Sequence, residues 1–321
     1  MKSLPQSHRS REVHRNAVVP PGGWLGEVLP WAAEATGIPA GLPVYATAND
    51  KAVEALGSGL EDGTVLLSLG TYIAAMTTGS SSTSADDSYW ANFAARPGKY
   101  LYESTGIRRG MWMISWYRTL LEGSHGEEPP AEMAPLEDAL DAEASRLAPG
   151  SNGLLTLPDW LAPGDAPWRR GALLGFDGSQ GRAHIYRSIL EAIAMTMANN
   201  TAAMEQALRG RLSPVLVSGG GSRSDLMMQI VADVFGRPAR RTTVNDAAGL
   251  GAAICAAVGH GIYPDWGRAT AAMVAVGDEF APDTRNTRSY QKINKVYAGL
   301  TTFTDPLFRS MTDALEGLER A

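Results

Sequence analysis

The sequence predicts an α/β domain in which helices cover both faces of one sheet. Short apolar runs with the character of strands alternate with longer segments whose apolar residues recur every three or four positions. From residue 63 to residue 259 the predicted order is hairpin, third strand, helix, long helix, strand, helix, strand and helix. This order is typical of an α/β layer, because strands and helices that alternate along a chain pack against each other in layers.

The first third of the chain predicts short elements and a β-hairpin. A short helix is expected at 30–36, a strand at 43–46, and a helix in "DKAVEALGSG" that ends at its glycines. The run "GTVLLSLGTYIAAMTTG" contains two apolar stretches that meet at Gly70-Thr71, which predicts a hairpin, and "KYLYEST" predicts a third strand.

The remaining elements follow from apolar spacing. "RGMWMISWYRTLLEG" predicts a helix, and "AHIYRSILEAIAMTMANNTAAMEQAL" predicts a long helix with one apolar stripe. Residues 124–152 are expected to lie on the surface and to contain one acidic helix. A strand at 215–217 precedes a helix, and "PARRTTV" precedes a helix capped by Asn245 or Asp246. The C-terminal sixth is predicted to be helical. The two apolar stripes consist of Ile185, Ile189, Ala192 and Ile193, and of Met227, Ile230, Val231 and Val234.

Composition narrows the class of protein. Of 321 residues, 44% are hydrophobic and 19% charged, the formal net charge is -6, and basic residues are interspersed with acidic ones. These values argue against a nucleic-acid-binding or membrane-binding surface. No signal peptide or membrane span is expected, and the buried setting predicted for the single Cys255 suits a cytoplasmic protein. The five scattered histidines predict no zinc site.

A turn of three glycines, Gly219 to Gly221, separates a predicted strand from a predicted helix. Its spacing is neither G-x-G-x-x-G nor the P-loop pattern. Glycine allows backbone to approach another segment or a ligand closely, so tight strand–helix packing and a bound flat ligand both explain the turn.

Two further positions have both a structural and a chemical interpretation. Asp50 lies where a strand meets a helix, so it is a helix N-cap or a general base at the mouth of a cleft. Gly70-Thr71 is a plain hairpin turn, or a turn whose N–H groups and hydroxyl bind a phosphate.

Several aromatic and acidic residues are better explained by packing. Trp112 and Trp116 are one helical turn apart, and Tyr290 and Tyr297 lie on a C-terminal helix. We expect all four to pack in the interior, and Asp233 to pair with an arginine or cap a turn.

In this order the motifs resemble the FGGY family of carbohydrate kinases. The segments that carry the resemblance are "PAGLPVYATANDKAVEALGSG", "GTVLLSLGTY", "GALLGFDGSQGRAHIYRSILEAIA", "VSGGGSRSDLMMQIVADVFGRPA" and "NDAAGLGAAICAAVGHGIYPD". The resemblance implies an actin-like (ribonuclease H-like) ATPase fold and, specifically, the second domain of a two-domain sugar kinase.

The resemblance also implies the roles of individual residues. ATP and Mg²⁺ would be the cofactors, with adenosine lying against the turn of three glycines. Asp50 would be the general base toward the sugar hydroxyl. The implied nucleotide-binding residues are Gly70, Thr71, Gly219, Gly220, Gly221, Ser222, Ser224 and Gly249.

The chain departs from the family pattern in two places. Tyr72 stands where the family has a small hydroxyl residue, and the Asp-x-Gly-Thr phosphate loop of the first domain does not occur. We therefore predict a loose lead-in at 1–22, a remnant of the first domain at 23–60 that carries Asp50, and the C-terminal nucleotide-binding domain at 61–321.

The leading functional hypothesis is the C-terminal half of an ATP-dependent kinase that phosphorylates a hydroxyl of a small sugar or polyol. Its expected partners are that substrate and either a complementing N-terminal domain or a second copy of the chain. The alternative is a non-catalytic nucleotide-binding or interaction module, with an apolar face exposed around residues 24 to 60. An actin-like or chaperone-like ATPase is a third interpretation, since fold does not fix function.

Overall fold

The computed structural model describes residues 18–82, 88–123, 135–244 and 246–319. The strands are β1 Trp24–Glu27, β2 Pro43–Tyr45, β3 Val65–Leu69, β4 Ile73–Gly79, β5 Tyr89–Phe93, β6 Tyr100–Ser104, β7 Leu155–Leu157, β8 Ala172–Leu174, β9 Val215–Ser218, β10 Ala239–Thr242 and β11 Val276–Phe280. The helices are α1 Pro30–Thr36, α2 Asp50–Gly57, α3 Trp112–Glu122, α4 Pro135–Ala144, α5 Arg182–Leu208, α6 Asp225–Phe235, α7 Ala247–Gly259, α8 Trp266–Met273, α9 Thr284–Tyr297 and α10 Leu300–Glu319.

One seven-stranded mixed sheet organises the molecule, in the order β11-β10-β9-β3-β4-β6-β5. Strands β3, β9 and β10 are parallel, and the remaining neighbours are antiparallel. The predicted hairpin is the β3–β4 pair, and the predicted third strand is β6. The edge strands β5 and β11 escaped prediction. In β11 the sequence VGDEF places two charged residues on an edge strand, which hides an apolar alternation.

The sheet separates two cores because successive side chains of a strand point to opposite faces. On one face Val65, Leu67 and Leu69 pack with α3, α5, α6 and α9. On the other face Leu66 and Leu216 pack with α2 and α7. Helices therefore cover both faces, as predicted.

The predicted helical stripes face the first core. In α5 the side chains of Ile189, Ala192 and Ile193 are buried, and in α6 those of Met227, Ile230 and Val231. Ile185 and Val234 are partly buried at the margins of the cores.

The C-terminal helices are fixed to this core by polar contacts. Tyr290 is buried and donates a hydrogen bond to Glu191 at 2.9 Å, while Arg187 donates to both Glu191 and Tyr290. Asp233 of α6 accepts from the Asp283 N–H at 2.7 Å and from the Asn286 side chain at 2.9 Å, and so joins α6 to the start of α9. Among the described residues it has no arginine partner. These bonds satisfy buried charges that would otherwise be costly.

Helices α2 and α7 lie in backbone contact. A Cβ added at Gly57 would lie 1.9 Å from the Ala247 carbonyl oxygen, and one added at Gly251 would lie 1.9 Å from the Val53 carbonyl oxygen. Only glycine allows this approach. Helix α2 falls within the predicted first-domain remnant, yet this contact packs it onto the body formed by residues after 60.

The start of the described chain is also ordered by contacts. The Gly22 N–H, in the predicted lead-in, donates to the Ala46 carbonyl at 2.8 Å, and Gly22 packs closely against Gly259 of α7. The rest of that lead-in, residues 1–17, lies outside the described residues.

Cys255 of α7 is buried as expected, and burial raises the pKa of its thiol to about 11. Across the described ranges, none of the helices combines the length and the apolarity that crossing a membrane requires.

A partly buried ionic cluster joins the segment between β7 and β8 to α10. Arg169 donates to both carboxylate oxygens of Asp305, at 2.9 and 2.7 Å, and its Nε lies 3.7 Å from Asp159. Burial raises the pKa of Asp159 to about 6, and the charge of Arg169 offsets only part of this effect.

Replacing Gly251 by alanine should destabilise the fold. The new Cβ would overlap the Val53 carbonyl and force α2 and α7 apart, which we expect to lower the free energy of unfolding by about 1–3 kcal/mol. Chemical denaturation measures this change. Gly164→Ala is the control, since a Cβ there meets no atom within 4 Å. Equal losses in the two variants would contradict the packing argument.

Asp159→Asn should alter the pH dependence of stability. The native state binds a proton at Asp159 below about pH 6, whereas the unfolded state does so only near the ordinary value of 3.8. The free energy of unfolding of the wild-type protein therefore falls as the pH rises from 3.8 to about 6, because Asp159 gives up its proton in the native state. Asparagine does not titrate, so the variant does not show this decrease. Denaturation of both proteins across this window measures the difference, which should grow in favour of the variant. The exposed Asp313→Asn is the control, and parallel curves for Asp159→Asn and wild type would refute the assignment.

Candidate functional site

The carboxyl ends of the parallel strands gather the predicted site residues at one edge of the sheet. Ser68 of β3 is paired in register with Ser218 of β9, so the turns that follow these strands begin side by side. They are the Gly70-Thr71 turn and the glycine turn, whose last part is a 3-10 helix, Gly220–Arg223. Ligands of α/β sheets commonly bind at such an edge.

The three consecutive glycines have different roles. Gly219 has φ +84°, and a Cβ there would lie 2.6 Å from the Leu69 carbonyl oxygen. A Cβ at Gly221 would lie 2.9 Å from both Leu69 Cβ and Met111 Sδ, whereas one at Gly220 would meet no atom within 4 Å. Two glycines therefore serve close packing of the two turns, and Gly220 leaves bare backbone beside open space.

That open space is a cleft of about 400 Å³ between the two turns and helices α3, α4, α5 and α6. Five of the predicted residues line it. They are Gly70, Thr71, Gly220, Gly221 and Ser224. The structure therefore brings together most of the predicted nucleotide contacts in one cavity.

One wall of the cleft is charged. Arg118 is only 3% exposed, donates to Glu137 at 3.3 Å, and has an Nε that makes no hydrogen bond among the described residues. Burial raises the pKa of Glu137, and Arg118 lowers it in part. Burial also raises the pKa of Asp141, which accepts a hydrogen bond from the Tyr186 hydroxyl at 2.8 Å.

These wall residues were not predicted from the sequence. Arg118, Glu137, Asp141 and Tyr186 belong to three helices that are far apart in the chain, and none forms a recognisable motif. The one available signal in the sequence was Arg118, a basic residue among the apolar residues of α3. Their convergence depends on how α3, α4 and α5 pack.

Three predicted residues do not line the cleft. The Ser222 hydroxyl is buried and donates to the Gly219 carbonyl at 2.7 Å, so it shapes the turn from within. Gly219 likewise packs against the backbone of Leu69 and does not face the cleft. Gly249 belongs to α7, on the opposite face of the sheet, and its N–H donates to the Asp246 cap at 2.8 Å. The expectation that Gly249 helps form the same pocket is therefore not met, and Asn245, the other predicted cap, lies outside the described residues.

Asp50 is the first residue of α2 and is exposed near the same edge. The helix cap is Asn49, whose side chain accepts from the Ala52 N–H at 2.8 Å, so Asp50 is not the N-cap. Asp50 Oδ1 accepts from the Lys51 N–H at 2.8 Å. Its carboxylate is therefore accessible to a molecule at the edge.

A buried polar network holds α2 beneath this carboxylate. Glu54 accepts from the Ser218 hydroxyl at 2.7 Å and from the Ser68 hydroxyl at 3.0 Å. Lys51 donates to Ser68 at 2.7 Å and to Glu54 at 3.1 Å. The first turns of α2 are thereby tied to the last residues of both β3 and β9, just before the two functional turns.

Tyr72 points away from the cleft. Its ring packs against Gly106, where an added Cβ would lie 2.6 Å from Tyr72 Cζ, and burial raises the pKa of its hydroxyl. Trp116 packs against Trp160 with 5.0 Å between ring centres and 60° between the ring planes, and Arg109 lies over the Trp112 ring at 4.6 Å. None of these aromatic side chains lines the candidate site.

Within the described residues, no group of three or more histidine, cysteine, aspartate or glutamate side chains is arranged to hold a metal ion.

Comparison with known proteins agrees with this geometry. Residues 65–260 match the model of the FGGY family of carbohydrate kinases, C-terminal domain. The "Uncharacterized sugar kinase YgcE" of Escherichia coli is 46% identical over 299 residues, which cover 92% of this chain and 61% of the relative. The xylulose kinase of Bacillus subtilis is 26% identical, with 88% of this chain and 55% of the relative covered.

Solved structures show the same fold. The xylulose kinase from Rhodospirillum rubrum superposes with a TM-score of 0.76 at 29% identity, covering 90% of this chain and 57% of that structure. A Plasmodium falciparum glycerol kinase with ADP has a TM-score of 0.65 at 17% identity. The predicted actin-like α/β fold is confirmed, and the chain spans somewhat over half the length of these relatives. This chain belongs to the FGGY family of carbohydrate kinases and contains the family's C-terminal domain.

Proposed function

We propose that this chain is the nucleotide-binding half of an ATP-dependent kinase that phosphorylates a small sugar or polyol. The observation that carries the proposal is the cleft at the carboxyl edge of the sheet, where Gly220 presents bare backbone to open space. Because the chain spans 61% of its Escherichia coli relative, the activity of the whole enzyme is part of the proposal.

The cleft residues fit a nucleotide. Gly220 leaves room for adenosine against the backbone, Gly221 lines the cleft beside it, and Ser224 lies at the rim, where it also caps α6. Gly70 and Thr71 offer N–H groups and a hydroxyl to the phosphates. Gly219 and Ser222 support the turn from within, and Gly249 has no direct contact in this proposal. The buried Arg118 is paired with Glu137 at 3.3 Å and, through its Nε, with Glu122 at 3.8 Å, and this Nε makes no hydrogen bond among the described residues.

Asp50 is the proposed general base. A carboxylate at this position takes the proton from the substrate hydroxyl as the hydroxyl attacks the terminal phosphate. Phosphoryl transfer depends on positioning and charge neutralisation, and the kinases of this family use ATP together with Mg²⁺, which supplies that neutralisation when bound. The network of Lys51 and Glu54 fixes the helix on which Asp50 stands.

The binding site for the acceptor sugar would be completed by a first domain that docks beside β1, α1 and β2. This region exposes large apolar side chains, including Trp24 at 62% and Trp31 at 63%. Exposed apolar surface of this kind marks an interaction site. A cytoplasmic location belongs to the same proposal, because ATP is the phosphate donor.

A non-catalytic interaction module remains the second candidate. The apolar surface of β1, α1 and β2 favours it, since this surface also suits a partner other than a first domain. The two candidates differ in whether a supplied first domain restores phosphoryl transfer.

Gly220→Val should weaken nucleotide binding without unfolding the protein. The valine side chain would enter the cleft, where it meets no protein atom within 4 Å of its Cβ, and would occupy the space proposed for adenosine. We expect the ATP or ADP dissociation constant, measured by calorimetry, to rise at least about tenfold, or 1.4 kcal/mol. Gly164→Val, at an equally open position outside the cleft, is the control. Unchanged affinity in Gly220→Val would rule out this location.

Asp50→Asn should remove phosphoryl transfer while leaving nucleotide affinity intact. The chain would be mixed with a first domain taken from the Escherichia coli relative, and ADP release would be followed with a panel of ketoses and polyols. Loss of the base should lower kcat by about 10²–10⁴-fold. Glu61→Gln, an exposed carboxylate beyond the other end of α2, is the control. Full activity of Asp50→Asn would exclude this residue as the base, and absence of activity in the wild-type mixture would favour the non-catalytic candidate.

A further inference from the structure

We propose that the outer face of α10 binds the same face of a second copy of this chain, in a two-fold symmetric, antiparallel contact. The surface consists of Phe303, Leu307, Met311 and Leu315 and is called the α10 ridge. This inference is independent of the proposed kinase function, because the ridge is separate from both the cleft and Asp50.

The ridge is continuous and exposed. Its four apolar side chains recur every four residues, so they lie in one row along the helix. Phe303 is 79% exposed, Leu307 64%, Met311 55% and Leu315 50%. Large apolar side chains in an unbroken exposed row are uncommon on a monomer and mark a contact surface.

The opposite row of α10 is already used. Leu300 and Thr304 are buried, and Phe308 packs with Tyr297 and Leu157 on the outer side of α5. The ridge therefore cannot turn inward to bury itself, because the helix has only one other apolar row and that row is in place.

Side-chain contacts fix the orientation of α10. Arg169 binds both carboxylate oxygens of Asp305, and Arg309 lies over the Trp168 ring at 3.3 Å from its centre. A rigid surface loses little conformational freedom on binding, which favours association.

A second copy of the helix fits the ridge. Rows of residues spaced by four on both helices interdigitate in the commonest class of helix packing, with a crossing angle near about -50°. A second α10 supplies a row with the same spacing and the same side chains. Contacts of this self-complementary kind generate closed two-fold dimers.

Charge complementarity favours the antiparallel direction. Helix α9 contains four exposed basic residues and no acidic one, and Lys295 stands just before α10 begins. The second half of α10 carries the acidic residues Asp313 and Glu316. In an antiparallel pair, the basic end of one copy would lie beside the acidic half of the other, which selects this arrangement.

The position of the ridge argues against the first domain as its occupant. Helix α10 packs on α5, on the face of the sheet opposite α2 and α7. Asp50 and the exposed surface of β1, α1 and β2 belong to the α2 side. A domain that closes over Asp50 from that side would leave the ridge uncovered.

Sedimentation velocity of the chain from low to high micromolar concentration tests the proposal. We expect a reversible dimer whose dissociation constant rises at least about tenfold in Leu307→Asp, equal to 1.4 kcal/mol. Trp31→Asp, on the apolar surface of β1 and α1, is the matched control and should dimerise like wild type. A wild-type protein that is monomeric throughout, or a dimer lost in Trp31→Asp and kept in Leu307→Asp, would overturn the proposal.

A charge exchange tests the direction of the helices and guards against effects of misfolding. Lys295→Glu and Asp313→Lys should each weaken the dimer, and the double variant should recover it. Thermal melting of each variant as a dilute monomer should match wild type, since both positions are exposed. Failure of the double variant to recover would reject the antiparallel arrangement.

Discussion

The parallel, in-register pairing of β3 with β9 is the constraint on which the rest of the site depends. Because Ser68 lies opposite Ser218, the hairpin turn and the glycine turn leave the sheet side by side. Their proximity then requires Gly219 and Gly221, where a side chain would overlap the neighbouring turn. The same pairing presents two buried hydroxyls to one carboxylate, that of Glu54.

Helix α2 links this sheet edge to the exposed acid. Its glycine contact with α7 sets how closely the helix approaches the body of the domain, and its Glu54 and Lys51 bonds set its position along the strands. Both contacts position Asp50, because among the described residues its carboxylate accepts a hydrogen bond only from the Lys51 N–H of the same helix. The sequence assigns this segment to a first-domain remnant, and in the structure it packs closely against α7.

The molecule keeps its chemical surfaces apart. The cleft lies against α3 to α6, Asp50 lies on the α2 side of the same edge, and the two apolar surfaces lie on opposite faces of the sheet. This separation suits a protein that binds a nucleotide, a completing domain and a second copy at the same time. Each surface uses a different physical property: bare backbone, an accessible carboxylate, and exposed apolar rows.

The sequence by itself determined the hairpin, the strand–turn–helix at residues 215–235 and the elements with clear apolar spacing, because these follow from local periodicity and turn chemistry. The resemblance to the family rests instead on the ordered motifs. The tertiary structure decided that Gly220 alone of the three glycines faces open space, that Asn49 rather than Asp50 caps α2, and that Gly249 lies off the cleft. It also brought Arg118 to the cleft wall. The physical reason is range: periodicity reports neighbours along the chain, whereas packing distances between distant segments decide which side chains meet.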